Sequence, residues 1–312
     1  MERIVSTSRF AGVVPPLVTP FAPDGALDVA SFERLIESQI AAGVDGLFVL
    51  GSSGEVGFLT DAVRSEVLRE AVRIAAGRVP VLAGVNDMST SRVVEQVRLA
   101  EFAGVDAVVA TVPFYVRPSL EEIEAHFRTV AASTALPLFA YDVPVRVHVK
   151  LGHELLVRLG VEGVLAGVKD SSGDDVGFRR LVAANRAAGS PLVLFTGHEI
   201  VVDGALLAGA DGVVPGLGNV DPASYVRLVA AARAGDWAEA KRIQDGLASL
   251  FEIVFQAQGV SGEAAGLGAF KTALQTLGVI ESNRMAHPVP ALEGETVERI
   301  RAIVEESGLL VR

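Results

Sequence analysis

The sequence of 312 residues is most informative in what it has little of: it contains no cysteine, one tryptophan and three tyrosines. The absence of cysteine excludes disulfides, thiolate zinc sites and cysteine nucleophiles, and it leaves the redox compartment open with a weak preference for the cytosol. Positive charge is also scarce, since 27 Lys and Arg stand against 38 Asp and Glu, and the basic residues are scattered. We therefore expect no nucleic-acid partner.

Long apolar runs are missing as well. Gly, Pro or a charged residue interrupts each apolar stretch before it reaches the ~20 residues that a membrane helix needs, so we expect no membrane partner. The start, "MERIVSTSRF", has no apolar signal core, and we expect a cytoplasmic location. Half of the residues are hydrophobic, so the chain can bury a large core in one big α/β domain or two smaller ones.

One short pattern recurs along the chain. The fragments "AAGVDGLFVL", "FAGVDAVVAT", "RLGVEGVLAG" and "LAGADGVVPG" begin at residues 41, 102, 158 and 207. Each reads as a helix end, a glycine, a small apolar residue, an acid and a buried strand. In further joints, such as "RVPVLAGVND", a proline begins the strand. Continuous apolar runs of this kind are typical of parallel strands covered on both faces.

In total, eight strand-like segments alternate with helix-like segments. The strands are "GVVPPLVT", "GLFVLGSS", "PVLAGVND", "AVVATVPFY", "PLFAYDVP", "GVLAGVKD", "PLVLFTGHE" and "GVVPGLGN". This order and size predict an α/β protein with a TIM (β/α)8 barrel rather than a doubly wound sheet. After residue 222 only helical patterns remain. We therefore predict a barrel domain over residues 1–235 and a C-terminal helical segment over 236–312.

The end of the sixth strand carries an isolated lysine. Lys169 closes the apolar run "VEGVLAGVKD" with no other basic residue nearby. Burial disfavours the charged form of an amine, so a lysine in such a place is either paired or used as a nucleophile. In a TIM barrel the carboxyl ends of the strands form the site. Tyr141 and Tyr115 end strands five and four, Ser52 and Ser53 follow strand two, and Gly197 follows strand seven.

Each of these residues by itself is also compatible with packing or an ordinary turn. "GSSGE" at residues 51–55 has glycines and hydroxyls that suit a carboxylate or a phosphate, but it lacks the longer phosphate-binding patterns. Grouping of these residues on one face of the barrel favours a functional site.

Four motifs together resemble the dihydrodipicolinate synthase and N-acetylneuraminate lyase family. They are "GSSGE", "PFYVRPS", "YDVPVR" and "GVKDSSGD", which follow strands two, four, five and six. The resemblance implies a TIM barrel with a C-terminal helical segment and a homotetramer built from tight dimers. It also implies class I chemistry, in which a lysine forms a Schiff base with pyruvate or another 2-oxo acid, with no metal or organic cofactor.

Residue roles follow from the same resemblance. Lys169 matches the Schiff-base lysine, Tyr141 the tyrosine that moves protons beside it, and Ser52 a hydroxyl residue that relays protons between two tyrosines. Tyr115 matches the second of these, which in the family acts from the neighbouring subunit. Arg146 matches the arginine that binds a second substrate's carboxylate. The implied substrate-binding residues are Ser52, Ser53, Arg146, Gly197 and Val214, and Glu55 is expected to be structural.

Two departures from the family pattern affect the expected substrate. Synthases of the family usually carry two threonines where Ser52 and Ser53 stand, a change that keeps both hydroxyls. They also tend to read Arg-Thr-Gly where this chain has Arg146, Val147 and His148. The arginine favours an acidic second substrate and makes sialic acid cleavage less expected, whereas the bulkier neighbours, with Val145, suggest a differently shaped pocket.

Three enzyme assignments agree with this sequence. The first is an aldolase for a 2-keto-3-deoxy sugar acid or a 4-hydroxy-2-oxo acid, and we rank it ahead of dihydrodipicolinate synthase and of a hydro-lyase acting on a deoxy-keto sugar acid. Two alternatives from other classes are a phosphate-binding isomerase, based on "GHE" and "GLGN" after strands seven and eight, and a non-catalytic protein that binds a 2-oxo acid. The five histidines show no metal spacing, and a surface or packing role is expected for each; only His148 and His198, near the ends of strands five and seven, are candidates to line the pocket.

Overall fold

The computed structural model describes residues 9–311. Eight parallel strands form one sheet in the order β1-β8-β7-β6-β5-β4-β3-β2, in which each strand from β2 to β7 pairs with the next one along the chain and β8 pairs with β1. The strands are β1 (Gly12–Val13), β2 (Leu47–Val49), β3 (Val81–Gly84), β4 (Ala107–Ala110), β5 (Leu138–Asp142), β6 (Gly167–Asp170), β7 (Val193–Thr196) and β8 (Gly212–Val213). The predicted (β/α)8 barrel is confirmed.

The barrel closes between its first and second strands through residues just beyond β1. The amide of Phe48 donates to the carbonyl of Pro15 at 3.0 Å, and the amide of Leu17 donates to the carbonyl of Phe48 at 2.8 Å.

The strands are shorter than the apolar runs from which they were predicted. At β1 the reason is that Pro15 and Pro16 have no amide hydrogen and end the regular ladder. Beyond β8, Pro215 also lacks an amide hydrogen, so the ladder cannot continue there.

The repeated glycine–acid pattern has a structural explanation at the amino ends of the strands. Gly43, Gly104 and Gly209 adopt positive φ angles where the preceding helices end. The acids that follow them accept backbone N–H groups of neighbouring strands: Asp45 from Val13 at 2.8 Å, Asp106 from Val81 at 2.8 Å and Asp211 from Leu194 at 2.7 Å. The fourth acid, Glu162, instead forms an ion pair with Arg128. The pattern thus fixes the end of the barrel opposite to the predicted site.

Helices surround the sheet and continue beyond it. The helices are α1 (Val29–Ala41), α2 (Asp61–Ala75), α3 (Thr90–Ala103), α4 (Leu120–Ala132), α5 (Pro144–Val147), α6 (His153–Val161), α7 (Asp175–Ala187), α8 (Val202–Ala208), α9 (Pro222–Arg233), α10 (Trp237–Phe251), α11 (Gly262–Thr276) and α12 (Glu295–Glu306). The last three form the predicted C-terminal helical segment. The predicted domain boundary falls in the turn between α9 and α10, where it stays a prediction.

Large aromatic side chains fill the interior of the barrel below the strand ends. Phe139 of β5 packs against Phe10 and Phe195, with ring centroids 5.5 Å and 6.0 Å away. Each of the three is at most 2% exposed. In β5, Phe139 and Tyr141 are two residues apart and so point to the same side of the sheet. The apolar layer therefore forms the floor under the predicted site. Within residues 9–311, no helix is both long and apolar enough to cross a membrane.

Candidate active site

Lys169 and Tyr141 lie side by side at the carboxyl ends of neighbouring strands. They are direct register partners of β6 and β5, and the Lys169 Nζ atom is 4.1 Å from the centre of the Tyr141 ring. The same Nζ atom is 5.0 Å from the centre of the Phe48 ring. Lys169 is 6% exposed and Tyr141 is 4% exposed. The structure therefore places an amine in a buried aromatic setting, where no carboxylate of residues 9–311 forms an ion pair with it.

Ser52 connects this pair to the loop after β2. Its hydroxyl and the Tyr141 hydroxyl are 3.4 Å apart. Burial opposes ionisation of Tyr141, but the charge of Lys169 and the hydrogen bond with Ser52 outweigh it and lower the pKa of the phenol. A phenol that releases its proton more readily is suited to proton transfer near neutral pH. Ser53, the next residue of this loop, is also buried, with 9% of its surface exposed.

Gly197, which follows β7, lies next to Lys169, and Val214 directly follows β8. A Cβ atom added at Gly197 would lie 3.3 Å from Lys169 Cε and 2.1 Å from Ser171 Oγ, so no larger residue fits there without displacement. Val214 is 4% exposed, and its amide donates to the carbonyl of Thr196 at 2.8 Å. The close approach of Gly197 to Lys169 agrees with the predicted position of Gly197, whereas substrate binding by Gly197 and Val214 stays a prediction.

Glu199, which sequence reasoning did not select as a site residue, lies near Lys169. Although the residue is partly exposed, burial of its carboxyl group raises its pKa to about 7, against the opposing effects of two backbone N–H groups and of Lys169. Those N–H groups belong to Gly216 and to Leu217, the latter at 3.3 Å. Both groups belong to the "GLGN" loop, which would bind phosphate if the protein were a phosphate-binding isomerase. Because a carboxylate already occupies them, the structure argues against phosphate binding there.

Arg146 lies on the short helix α5, which Pro144 begins just after β5. It forms an ion pair with Glu263 of α11, and the two residues are lining groups of a cavity that also reaches Ser52. Val147 faces this cavity, whereas Val145 and His148 are exposed. The C-terminal helical segment therefore contributes a carboxylate beside the arginine, which the sequence did not indicate.

Tyr115 is apart from the other site residues. It lies on the loop after β4 and is 85% exposed, and within residues 9–311 no hydrogen bond joins it to Ser52 or Tyr141. Its neighbour Val116 is 57% exposed. A role for Tyr115 in proton transfer therefore stays a prediction, and it would require another molecule to cover this loop.

A buried ion pair fixes the loop that carries Ser52. The carboxylate of Glu55 pairs with Lys271 of α11, and both side chains are 0% exposed. Glu55 also accepts the amide of Ala286 at 2.7 Å, while Lys271 donates to the carbonyl of Arg284 at 2.8 Å. Burial lowers the pKa of Lys271 to about 8, and the Glu55 charge opposes this shift. Glu55 is structural, as expected, but its partner Lys271 gave no signal in the sequence.

The histidines do not gather into a site. His126 is buried between the hydroxyl of Thr90 and the carbonyl of Thr111, and His198 contacts Asp175 at 3.3 Å. Over residues 9–311 the structure brings together no group of three His, Cys, Asp or Glu that would suit a metal ion.

A buried amine at the mouth of a (β/α)8 barrel, in contact with a phenol, is the arrangement of a class I lyase, which works through an imine. The sequence profile of the dihydrodipicolinate synthetase family matches residues 9–307. The chain belongs to this family, and it is a lyase of the class I aldolase type.

Individual relatives extend over almost the whole chain. The 4-hydroxy-tetrahydrodipicolinate synthase of Phenylobacterium zucineum is 35% identical over 303 residues, which cover 96% of this chain and 98% of that protein. The crystal structure of dihydrodipicolinate synthase from Thermotoga maritima has a TM-score of 0.90 at 30% identity, covering 97% of this chain and 100% of the other. YagE from E. coli, a prophage protein of the same family in complex with pyruvate, has a TM-score of 0.90 at 28% identity, covering 96% and 99%.

Proposed function

We propose that Lys169 forms the Schiff base with pyruvate or a related 2-oxo acid, and that the protein makes or breaks the C–C bond next to it. The observation that supports this best is the contact of Lys169 Nζ with the ring of Tyr141. The hydroxyl of Tyr141 is in turn hydrogen-bonded to the hydroxyl of Ser52. Together these contacts provide a nucleophile and a proton donor and acceptor within one buried site.

The reaction follows from these groups in four steps. The Lys169 amine adds to the ketone carbon, and loss of water leaves an iminium ion. Loss of a proton from the neighbouring C3 atom gives an enamine. The C3 atom then attacks the carbonyl carbon of an aldehyde, forming the C–C bond, and the aldehyde oxygen takes up a proton. Water finally hydrolyses the imine, which releases a 4-hydroxy-2-oxo acid and restores the amine.

Tyr141 is the group that carries protons in these steps, and Ser52 is its hydrogen-bonded partner. The hydroxyl and backbone of Ser53 bind the 2-oxo acid carboxylate, because they belong to the loop beside Tyr141. No metal or organic cofactor takes part in this proposal, since the iminium ion itself acts as the electron acceptor.

Reductive trapping tests the proposal. The protein is incubated with pyruvate and borohydride, and its intact mass is measured beside Lys169→Ala and beside Lys241→Ala, which removes an exposed lysine of α10. We expect a mass gain equal to reduced pyruvate in the parent protein and in Lys241→Ala but not in Lys169→Ala. A folded parent protein that gives no adduct with pyruvate or longer 2-oxo acids would contradict the proposal.

For the overall reaction, we propose that the protein is an aldolase for a 2-keto-3-deoxy sugar acid or a 4-hydroxy-2-oxo acid. The second candidate is 4-hydroxy-tetrahydrodipicolinate synthase, which condenses pyruvate with aspartate semialdehyde. It is supported by the names of the relatives and by Arg146, which suits a second carboxylate. Product analysis with aspartate semialdehyde and with hydroxylated aldehydes distinguishes these candidates.

We also propose that the chain assembles as a homotetramer made of tight dimers, in which Tyr115 completes the site of a second copy. The exposure of Tyr115 and Val116 supports such a contact. Mixing Tyr115→Phe with Lys169→Ala tests it: restored activity in hybrid assemblies supports action between subunits, and none beyond the separate proteins contradicts it. A cytoplasmic location stays a prediction.

A further inference from the structure

The pocket beside the proposed Schiff base contains a charged pair that a substrate would meet. Arg146 reaches it from α5 after β5, and Glu263 reaches it from the first turn of α11. The two side chains are ion-paired, with 43% and 23% of their surfaces exposed. The guanidinium that would recognise a substrate carboxylate therefore already holds a carboxylate of the protein.

Glu263 is held at this place by the rest of α11. Ser261 caps the helix, accepting the amide of Ala264 at 3.2 Å. Two turns further along, Lys271 is buried in its ion pair with Glu55 of the Ser52 loop. Because the helix is fixed at both places, the backbone of Glu263 stays beside Arg146. The ion pair separates only when the side chain of Glu263 or of Arg146 rotates.

The remaining wall of the cavity is mainly apolar, with Phe58, Phe114 and Val143 among its residues, and it holds three uncharged polar side chains. Ser52, Asn86 and Thr111 line it, and the cavity's other carboxylate, Glu55, is neutralised by Lys271. Thr111 is 5% exposed, and its Oγ1 atom has no hydrogen-bond partner among the described residues.

We propose that Glu263 determines the choice of the second substrate, directing the enamine to an aldehyde whose far end carries hydroxyl groups rather than a carboxylate. This inference rests on the proposed function, which it makes more specific. A far-end carboxylate must either displace Glu263 from Arg146 or lie close to it as a like charge, and both reduce its binding. A hydroxylated aldehyde meets neither obstacle, and its hydroxyl groups can hydrogen-bond to the few polar side chains of the wall, such as Ser52.

The test uses two aldehydes of equal length that differ only at the far end, succinic semialdehyde and 4-hydroxybutanal. The value of kcat/KM for condensation with pyruvate is measured for the parent protein and for Glu263→Gln, which keeps the shape of the side chain but removes its charge. Glu252→Gln is the matched control, because it removes an exposed charge from the same C-terminal segment.

We expect the parent protein to prefer 4-hydroxybutanal. In Glu263→Gln, kcat/KM for succinic semialdehyde should rise about tenfold or more, mainly through a lower KM, because a charge-assisted contact with Arg146 becomes available. The value for 4-hydroxybutanal should change little, and Glu252→Gln should leave both values unchanged. An unaltered ratio of the two aldehydes in Glu263→Gln overturns the inference, as does a parent preference for succinic semialdehyde.

A second readout keeps the test decisive if no condensation product accumulates. Exchange of the pyruvate C3 hydrogens in D2O needs only the imine and the enamine, and each aldehyde that binds in the cavity inhibits it. The same shift in relative inhibition is expected on Glu263→Gln, and its absence overturns the inference. Loss of exchange and of the borohydride adduct in the parent protein would instead contradict the proposed function itself, so the two failures are distinguishable.

Discussion

Replacing Lys271 by methionine tests how the C-terminal segment supports the site. Lys271 and Glu55 are both 0% exposed, and their carboxylate–ammonium contact links α11 to the Ser52 loop. Removal of one partner leaves the other as a buried, unpaired charge, which costs about 3–5 kcal/mol in the free energy of unfolding. We expect Lys271→Met to lose stability in this range, measured by urea denaturation. It should also lower kcat by displacing Ser52.

Two further variants make the Lys271 experiment decisive. Lys241→Met removes an exposed lysine, paired with Asp245, and should leave the urea midpoint nearly unchanged. Lys271→Met combined with Glu55→Gln removes both charges while keeping an oxygen that can accept the Ala286 amide, so it should recover most of the lost stability. If Lys271→Met resembled Lys241→Met, or if the double variant were as unstable as the sum of its single changes, the assignment of a buried ion pair would be wrong.

Three other predictions follow from the site and its surroundings. Tyr141→Phe should retain the borohydride adduct with pyruvate but lower kcat by about 10²–10⁴-fold, the usual contribution of general acid–base catalysis; an unchanged kcat would contradict its role. The pKa of Glu199 is raised to about 7, so the stability contributed by its protonated form is complete below pH 4.5 and lost as pH rises through 7. The urea midpoint of the parent protein should therefore fall over this range relative to Glu199→Gln, and parallel pH profiles would refute the assignment. Burial lowers the pKa of His126 to about 4, so the neutral ring's contribution is present above pH 6.5 and lost as pH falls through 4. Across that interval the parent should lose about 3 kcal/mol relative to His126→Gln, and an equal acid sensitivity of both proteins would argue against a buried neutral ring.

Local sequence was sufficient to predict the barrel, because its signals act over a few residues. The glycine–acid pattern marks where helices end and strands begin, and in three copies the acid also binds a neighbouring strand. The ends of the strands were less predictable. Apolar runs continue beyond the ladder wherever proline or a change of direction removes the backbone hydrogen bonds, as at Pro15 and Pro215.

The residues of the candidate site were predictable to different degrees. Lys169 and Tyr141 end adjacent strands, so barrel topology alone brings them together, and their direct pairing agrees with that expectation. Glu199 was not selected, although it follows β7 at the same rim. Its significance comes from burial and from the N–H groups of the next loop, and neither can be read from the residue itself.

The sequence by itself determined the order of strands and helices, the family and the position of the amine, because these depend on local patterns and on motifs within single βα loops. Only the tertiary structure decided the contacts of Glu55 with Lys271 and of Arg146 with Glu263, which join residues 216 and 117 positions apart. No local pattern encodes such pairs, because each arises when α11 folds back over the rim of the barrel. The charge that a second substrate meets in the cavity is therefore a property of the folded chain rather than of any motif in it.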